Sequence, residues 1–377
     1  MIDRGLQADR LAMYSPNKLK IGFFGPNCSS GIAATKVPER WSGSWEDNVR
    51  LARMLDAAGI EFMLPVARWK GWGGETNFEH ATFETVTWAC GLLAATERIT
   101  VFGTVHAPLV HPVFAAKQFV TVDHVSRGRF GLNVVCGWNQ DEFDMFGLTQ
   151  REHDDRYAHG SEWLDVIQKL WTETGTSTFE GTYFQLPGLE GEPKPFGGTR
   201  PIVMNAGASP AGKAFALARA DYLFTPLRTI ESGAENIAAM KAEARARGRE
   251  IDVFTSVSIV CRPTTREAQD YYRWFADENA DWGAVEHMHD IGKSHGSTSH
   301  RDGAYERMKV RYAAGYGGYP LVGDPDTVVA EIARISAAGM MGLAAGLVNY
   351  LDEFPYIAAE VLPRLERLGL RAPARSG

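Results

Sequence analysis

Short apolar runs alternate with longer stretches of helical periodicity along most of this chain. Runs rich in β-branched and aromatic residues predict eight strands, at residues 20–24, 61–66, 99–104, 130–135, 201–205, 222–225, 253–260 and 342–347. Between them, apolar residues recur at helical spacing, as in the helix predicted near 44–58, which ends at Gly59. Strands that alternate with helices form a parallel sheet with helices outside it. Eight such units predict an α/β fold, a closed (β/α)8 TIM barrel with insertions.

Two segments interrupt this alternation. Residues about 174–200 contain the β-rich run FEGTYFQL followed by prolines and glycines, and we expect them to form an excursion outside the barrel. Residues about 282–320 are polar, with clustered glycine, histidine and serine, which predicts a long mobile lid loop. No shift in composition marks a domain boundary, so we expect a single domain over residues 1–377.

Composition and charge exclude several functional classes. The formal net charge is −7 and no basic run is present, which argues against a nucleic-acid partner. No segment approaches the roughly 20 apolar residues that span a bilayer, and the N-terminus lacks the apolar core of a signal peptide. The four cysteines lie far apart without a CxxC pair. We therefore predict a cytoplasmic protein with no membrane association.

Polar residues near the predicted strand ends are the first candidates for chemistry, because barrel active sites lie there. Thr104 ends the third strand, and Asn133 lies within the apolar fourth strand. A buried amide without partners costs about 1–3 kcal/mol, so Asn133 needs hydrogen bonds. The sequence leaves two interpretations open: a core asparagine satisfied by backbone, or a residue of the active site.

The segment NAGASPAG is a candidate for an anion-binding helix start, and the alternative is an ordinary turn between a strand and a helix. Ser209 stands in a cap position and Pro210 in the first helical turn. Small residues, including Gly207 and Gly212, let an anion approach the free N–H groups at the positive end of the helix.

The pair Arg156–Tyr157, at the start of another predicted helix, is a candidate for a contact to the same anion. The alternative is a solvated arginine beside a packed tyrosine. Glu142, after the fourth strand, is a candidate or a plain loop carboxylate.

Other catalytic classes lack their motifs. Ten histidines are present, but no HExxH or Cys/His spacing accompanies them, and we predict no metal site. The absence of a G-x-S-x-G elbow argues against a serine hydrolase.

Four segments together resemble a known family. ARWKGWGGETNFEH, SRGRFGLNVVCGWNQDEF, EHDDRYAHGSEWL and MNAGASPAGKAFA are similar to bacterial luciferase-like FMN-dependent monooxygenases. The similarity runs through nearly the whole chain and is greatest to the branch that holds dimethyl sulfone monooxygenase and the pyrimidine ring-opening monooxygenase.

The resemblance implies roles for named residues. It places seven residues in contact with FMN: Ala67, Arg68, Asn133, Glu142, Arg156, Tyr157 and Ser209. It also implies that Thr104 and Asn133 position O2. The sulfone enzymes lack this threonine, and the predicted lid matches neither relative, so the resemblance leaves the substrate open.

The function implied is that of a reduced-FMN-dependent monooxygenase in a two-component system. No G-x-G-x-x-G motif opens a βα unit, so a separate NAD(P)H:flavin reductase is expected to supply the reduced flavin. Oxygen from O2 would enter a small organic substrate through a flavin peroxide, with sulfone or sulfonate C–S cleavage or pyrimidine-like ring opening as outcomes. We also expect a homo-oligomer, a dimer or tetramer. The alternatives are an F420-dependent oxidoreductase on the same barrel and a non-catalytic flavin-binding protein.

Overall fold

The strands build a closed parallel barrel. A computed structural model describes residues 10–294 and 304–373 of the chain. Its strands, in chain order, are β1 Lys20–Phe24, β2 Phe62–Leu64, β3 Thr100–His106, β4 Phe130–Val135, β5 Ser177–Glu180, β6 Gln185–Leu189, β7 Ile202–Asn205, β8 Tyr222–Phe224, β9 Asp252–Cys261, β10 Tyr319–Gly323 and β11 Gly342–Gly346. Parallel pairing runs through β1, β2, β3, β4, β7, β8, β9 and β11, and β11 pairs with β1 to close the circle. The predicted barrel and its eight strands are confirmed.

Helices follow the barrel strands and cover the outside of the sheet. They are α1 Trp45–Ala57, α2 Thr85–Ala94, α3 Pro112–Val125, α4 Gln140–Met145, α5 His153–Thr172, α6 Pro210–Arg219, α7 Ile230–Ala246, α8 Thr265–Arg273, α9 Trp282–Ser294, α10 Ala304–Gly315, α11 Pro325–Ala337, α12 Tyr350–Glu360 and α13 Leu362–Arg367. Side-chain caps start many of them; the Ser44 side chain, for example, accepts a hydrogen bond from the Asp47 N–H at the start of α1.

The barrel interior is filled with aromatic rings. The Phe62 ring meets Phe102 and Phe254 edge to face, at centroid distances of 6.0 and 5.6 Å. Glycines on neighbouring strands make room for these rings: a Cβ at Gly131 would lie 2.5 Å from the Phe102 ring. This apolar plug leaves polar side chains to the carboxyl ends of the strands, where the candidate site lies.

Two segments depart from the barrel repeat. The stretch predicted as an excursion contains β5 and β6, an antiparallel pair separate from the barrel sheet. The stretch predicted as a lid loop is instead largely helical: α9 and α10 occupy most of it, and the remaining residues, 295–303, lie outside the described residues. The prediction of a loop was therefore wrong for these two helices. Whether the segment is mobile stays a prediction.

The helical signal in this segment was present but weak. In α9, Ala284, Val285 and Met288 recur at helical spacing and pack against Trp72 and Phe78. Glycines, histidines and serines dominate the composition around them and obscured the pattern.

The prediction also omitted β10 and α11. β10 contains Pro320, which cannot donate a backbone hydrogen bond to a sheet. The structure accommodates it because β10 lies at the end of the strand order and pairs with β9.

Within residues 10–294 and 304–373, no helix has the length and apolar character needed to cross a bilayer.

Candidate functional site

Two polar side chains on adjacent strands meet at the carboxyl end of the barrel. Parallel pairing sets Thr104 of β3 opposite Asn133 of β4. Asn133 Nδ2 donates to Thr104 Oγ1 at 3.2 Å, and Thr104 Oγ1 donates to the Pro65 carbonyl at 2.7 Å. Both side chains are buried, and Asn133 Oδ1 has no hydrogen-bond partner in the described structure. Core backbone therefore does not satisfy Asn133, and its oxygen is left for a ligand.

Arg68, which follows β2, is buried between two carboxylates. Its Nη1 lies 2.7 Å from Glu142 Oε1, and its Nε lies 3.4 Å from Glu79 Oε2. The rings of Trp72 and Trp138 flank its guanidinium, with centroids 4.3 and 5.5 Å away. Burial raises the pKa of both glutamates, and the charge of Arg68 opposes that rise. A buried charge needs such partners, so Arg68 and Glu142 form a rigid wall of the site.

Glu79 is a member of this cluster that the sequence did not single out. Trp72 Nε1 donates to Glu79 Oε2 at 3.0 Å, and the Tyr316 hydroxyl donates to the same oxygen. Glu79 and Tyr316 are separated by 237 positions in the chain, so no local spacing could have signalled the contact. The contact joins the loop after β2 to the segment that follows α10.

His106 is a second residue whose position the sequence did not interpret. It lies two residues after Thr104 on β3, and its Nδ1 is 3.8 Å from Glu142 Oε2 without a hydrogen bond. Burial, together with the nearby charge of Arg68, lowers the pKa of His106 to about 3. The ring is neutral at neutral pH. Within the described ranges, no group of three or more potential ligand side chains forms a metal site.

At the predicted anion site, the backbones of Gly207 and Gly212 are in close contact. The Ser209 side chain caps α6 by accepting from the Gly212 N–H at 3.1 Å. Asn205 Oδ1 accepts from the Gly207 N–H at 2.8 Å and so fixes the preceding turn. A Cβ at Gly207 would lie 2.6 Å from the Gly212 backbone, a distance that atoms do not tolerate. Glycine is therefore required at both positions for the turn and the helix start to pack this closely, and the anion itself stays a prediction.

Tyr157 reaches this cradle and Arg156 does not. The Tyr157 hydroxyl oxygen would be 2.7 Å from a Cβ on Gly212, so it stands directly beside the helix start. Burial raises the pKa of Tyr157, and a hydrogen bond with Ser209 opposes this rise. The Arg156 guanidinium is buried and donates instead to the Gly137 carbonyl at 2.8 Å. That contact braces the loop after β4, and a role of Arg156 at the phosphate stays a prediction.

The remaining predicted residue, Ala67, lines one cavity together with Arg68, Thr104 and His106. The arrangement fits FMN on two observations. An unpartnered buried oxygen, Asn133 Oδ1, can accept from a polar ring edge, and a glycine cradle at a helix start can hold one terminal phosphate.

Comparisons with known proteins agree with this geometry. A family model described as luciferase-like monooxygenase matches residues 19–341. The FMNH2-dependent dimethylsulfone monooxygenase of Pseudomonas fluorescens (strain Pf0-1) is 29% identical over 364 residues, 95% of this chain and 97% of that protein. The pyrimidine monooxygenase RutA of Bradyrhizobium sp. (strain BTAi1) is 28% identical over 346 residues, 89% and 93% of the two chains.

A crystal structure of riboflavin lyase with modified FMN and riboflavin has the same fold, with a TM-score of 0.85 at 22% identity. The match covers 96% of this chain and 94% of that chain. The family model spans well over half of the sequence, so the predicted resemblance is confirmed. The chain belongs to the luciferase-like monooxygenase family.

Proposed function

We propose that this protein is the oxygenase of a two-component system, which takes up reduced FMN and transfers one atom of O2 to a small organic substrate. The observation that carries the proposal is the Thr104–Asn133 pair, buried at the barrel mouth with Asn133 Oδ1 unpartnered. The glycine cradle at Ser209 supports it, as do relatives whose names state an FMNH2-dependent monooxygenase. The 377-residue sequence contains no G-x-G-x-x-G motif, which favours a separate NAD(P)H:flavin reductase.

Residues of the chain bind and orient the cofactor. FMN, bound in its reduced form, supplies the electrons for oxygen activation. The Ser209 hydroxyl and the Ala211 N–H would bind the phosphate, because Pro210 has no N–H and the N–H groups of Gly212 and Lys213 are bonded to Ser209. The Tyr157 hydroxyl lies beside this helix start. Asn133 presents its free oxygen, and Thr104, held by the Pro65 carbonyl, fixes the amide in place. These two side chains orient O2 and the ring edge without any backbone movement.

The residues around Arg68 determine the charge of the site wall. Arg68 pairs with two buried carboxylates, Glu142 and Glu79, and these contacts hold the wall of the barrel mouth in place. His106 adds no charge because its pKa is about 3, and a neutral imidazole can donate one hydrogen bond and accept another. The relatives are named for dimethylsulfone and pyrimidine, which makes C–S cleavage and pyrimidine-like ring opening the reactions to examine.

A substrate panel with a flavin reductase and NADH tests the proposal. Sulfones, sulfonates, pyrimidines and haloaromatics are incubated with the protein, and oxidised product is measured by mass spectrometry, because free reduced FMN also consumes oxygen. We expect product only when protein, reduced FMN and O2 are all present, and tighter binding of FMN than of FAD. Product formed without oxygen would indicate the F420-type oxidoreductase. Flavin binding without product from any compound would favour a non-catalytic flavin protein.

A further inference from the structure

A second cavity opens beside the cluster around Arg68. Its volume is about 220 Å³, and it lies between the loop after β4, the segment after β8, and helices α9 and α10. Its apolar and aromatic lining includes Trp138, Leu227, Met288, Met308, Tyr312 and Tyr316. The cavity adjoins the candidate site directly, because Trp138 packs on Trp72 at 5.7 Å and the Tyr316 hydroxyl donates to Glu79.

One positive charge lines this apolar cavity. Arg228, in the segment after β8, belongs to the lining and is exposed at the rim of the cavity, and no described carboxylate forms an ion pair with its guanidinium. Among the described residues, no aspartate or glutamate belongs to the lining. Burial raises the pKa of Tyr312, and the positive charges of Arg228 and Arg311 oppose that rise. Arg228 is therefore the one charged side chain among the described residues that line the cavity.

The backbone that carries Arg228 is held in place. The Arg311 guanidinium, on α10, donates to the carbonyls of Leu227 at 2.7 Å and Arg228 at 3.1 Å. Its Nε donates to the Gly318 carbonyl at 3.0 Å. Arg311 is thus committed to backbone, and Arg228 is the guanidinium that can meet a ligand.

We propose that this cavity is the substrate site and that it binds a small organic anion. The flat or branched apolar body would pack among the aromatic and thioether side chains, and a sulfonate or carboxylate would pair with Arg228. The cavity is smaller than the roughly 300–1,000 Å³ of drug-sized ligand sites, which limits the substrate to a small molecule. The inference rests on the proposed function and refines its substrate class: the dimethylsulfone named for one relative carries no charge.

Calorimetric titration of the full-length, FMN-loaded protein tests the proposal with a matched pair of ligands. Benzenesulfonate and methyl phenyl sulfone share the ring and the sulfur but differ in charge. We expect benzenesulfonate to bind about three- to fivefold more tightly to the wild type, since an ion pair with an exposed guanidinium contributes about that factor. Arg228→Gln should remove this preference and leave sulfone binding within about twofold, while Arg228→Lys should retain part of it.

Arg247→Gln is the matched control, because it removes an exposed guanidinium that pairs with Glu243 outside the cavity. It should leave both affinities unchanged. Equal binding of the two ligands by the wild type, or an unchanged preference in Arg228→Gln, would overturn the proposal. FMN binding, followed by flavin fluorescence in the same preparations, separates the two hypotheses. If FMN binds and the anion preference is absent, only the substrate assignment fails; if FMN does not bind, the proposed function fails.

Discussion

Asn133 and Thr104 form a buried hydrogen-bonded pair at the mouth of the barrel. The sequence could place both residues at strand ends but could not decide between a core role and a site role for Asn133. The structure favours the site role, because Asn133 Oδ1 has no partner while its Nδ2 bonds to Thr104. The hydrogen-bond partner of a buried amide depends on the register between neighbouring strands. The sequence does not show which two side-chain atoms this register brings together.

Removing either side chain should affect turnover more than stability. Asn133→Ala loses one described hydrogen bond, so its melting temperature should stay close to that of the wild type. Product formation should fall about 10²–10³-fold in Asn133→Ala and in Thr104→Ala, as for a lost donor in a dry site. Thr100→Ala is the control: Thr100 is buried on the same strand, four residues before Thr104, and should keep full activity. Turnover that survives both changes would contradict this role.

His106 predicts a specific pH dependence of stability. Its pKa is about 3 in the folded protein and 6.5 in the reference state, so below pH 6.5 the unfolded chain binds more protons at this position. Stability contributed by the neutral ring is therefore lost as pH falls from 6.5 towards 3. Burial raises the pKa of Asp123 to about 6, so its contribution to stability changes with pH in the opposite direction. Asp123 is present in all the variants compared, so its contribution cancels.

Urea unfolding of wild type and His106→Gln measures this effect. Between pH 6.5 and about 5, the free energy of unfolding of the wild type should fall about 1.5 kcal/mol more than that of His106→Gln. His80→Gln changes an exposed histidine and should follow the wild type. Parallel curves for wild type and His106→Gln would show that His106 titrates normally.

At the scale of elements, the alternation of strands and helices was the most predictable feature. Each barrel strand is buried by helices on one side and by the aromatic interior on the other, so its apolar run is continuous in the sequence. The insertion with α9 and α10 was less predictable, since its helices bury only a few positions against the loop after β2. Glu79, Tyr316 and Arg228 were missed for the same reason: their roles come from contacts between distant segments.

At the start of α6, we expect Ser209 to contribute both to stability and to FMN binding. Ser209 and Ser44 are both helix caps that accept a backbone N–H, at 3.1 and 3.2 Å. Ser209→Ala and Ser44→Ala should each lower the free energy of unfolding by about 1 kcal/mol. Only Ser209→Ala should also weaken FMN binding, because α1 does not face the candidate phosphate. Equal FMN affinities in both variants, measured by fluorescence titration, would remove α6 from the proposed site.

The contact between Tyr316 and the barrel predicts a local effect on the inserted helices. Tyr316→Phe removes the hydroxyl that bonds Glu79 and lies 3.1 Å from Trp72 Nε1. Amide hydrogen exchange in α9 and α10 should become faster, with the barrel strands unchanged. Tyr319→Phe, which removes a hydroxyl bonded to Glu331 on α11, serves as the control. Unchanged exchange in Tyr316→Phe would mean that apolar packing alone holds these helices.

The whole molecule joins a conventional barrel to a site at its mouth that is suited to a flavin and a small substrate. The membership in the luciferase-like monooxygenase family rests on a match over residues 19–341. Phosphate, flavin ring and substrate are assigned to different parts of the mouth: the α6 start, the Thr104–Asn133 pair, and the cavity at Arg228. In this proposal, function depends on loops at the carboxyl ends of the barrel strands.

Isotope labelling tests the central claim most directly. A substrate identified from the panel is converted under ¹⁸O2 with a flavin reductase and NADH, and the product is analysed by mass spectrometry. The proposed monooxygenase should place one atom of ¹⁸O in the product and the other in water, and Asn133→Ala should form little labelled product. Unlabelled product under ¹⁸O2, or equal product formation in the absence of oxygen, would contradict the account.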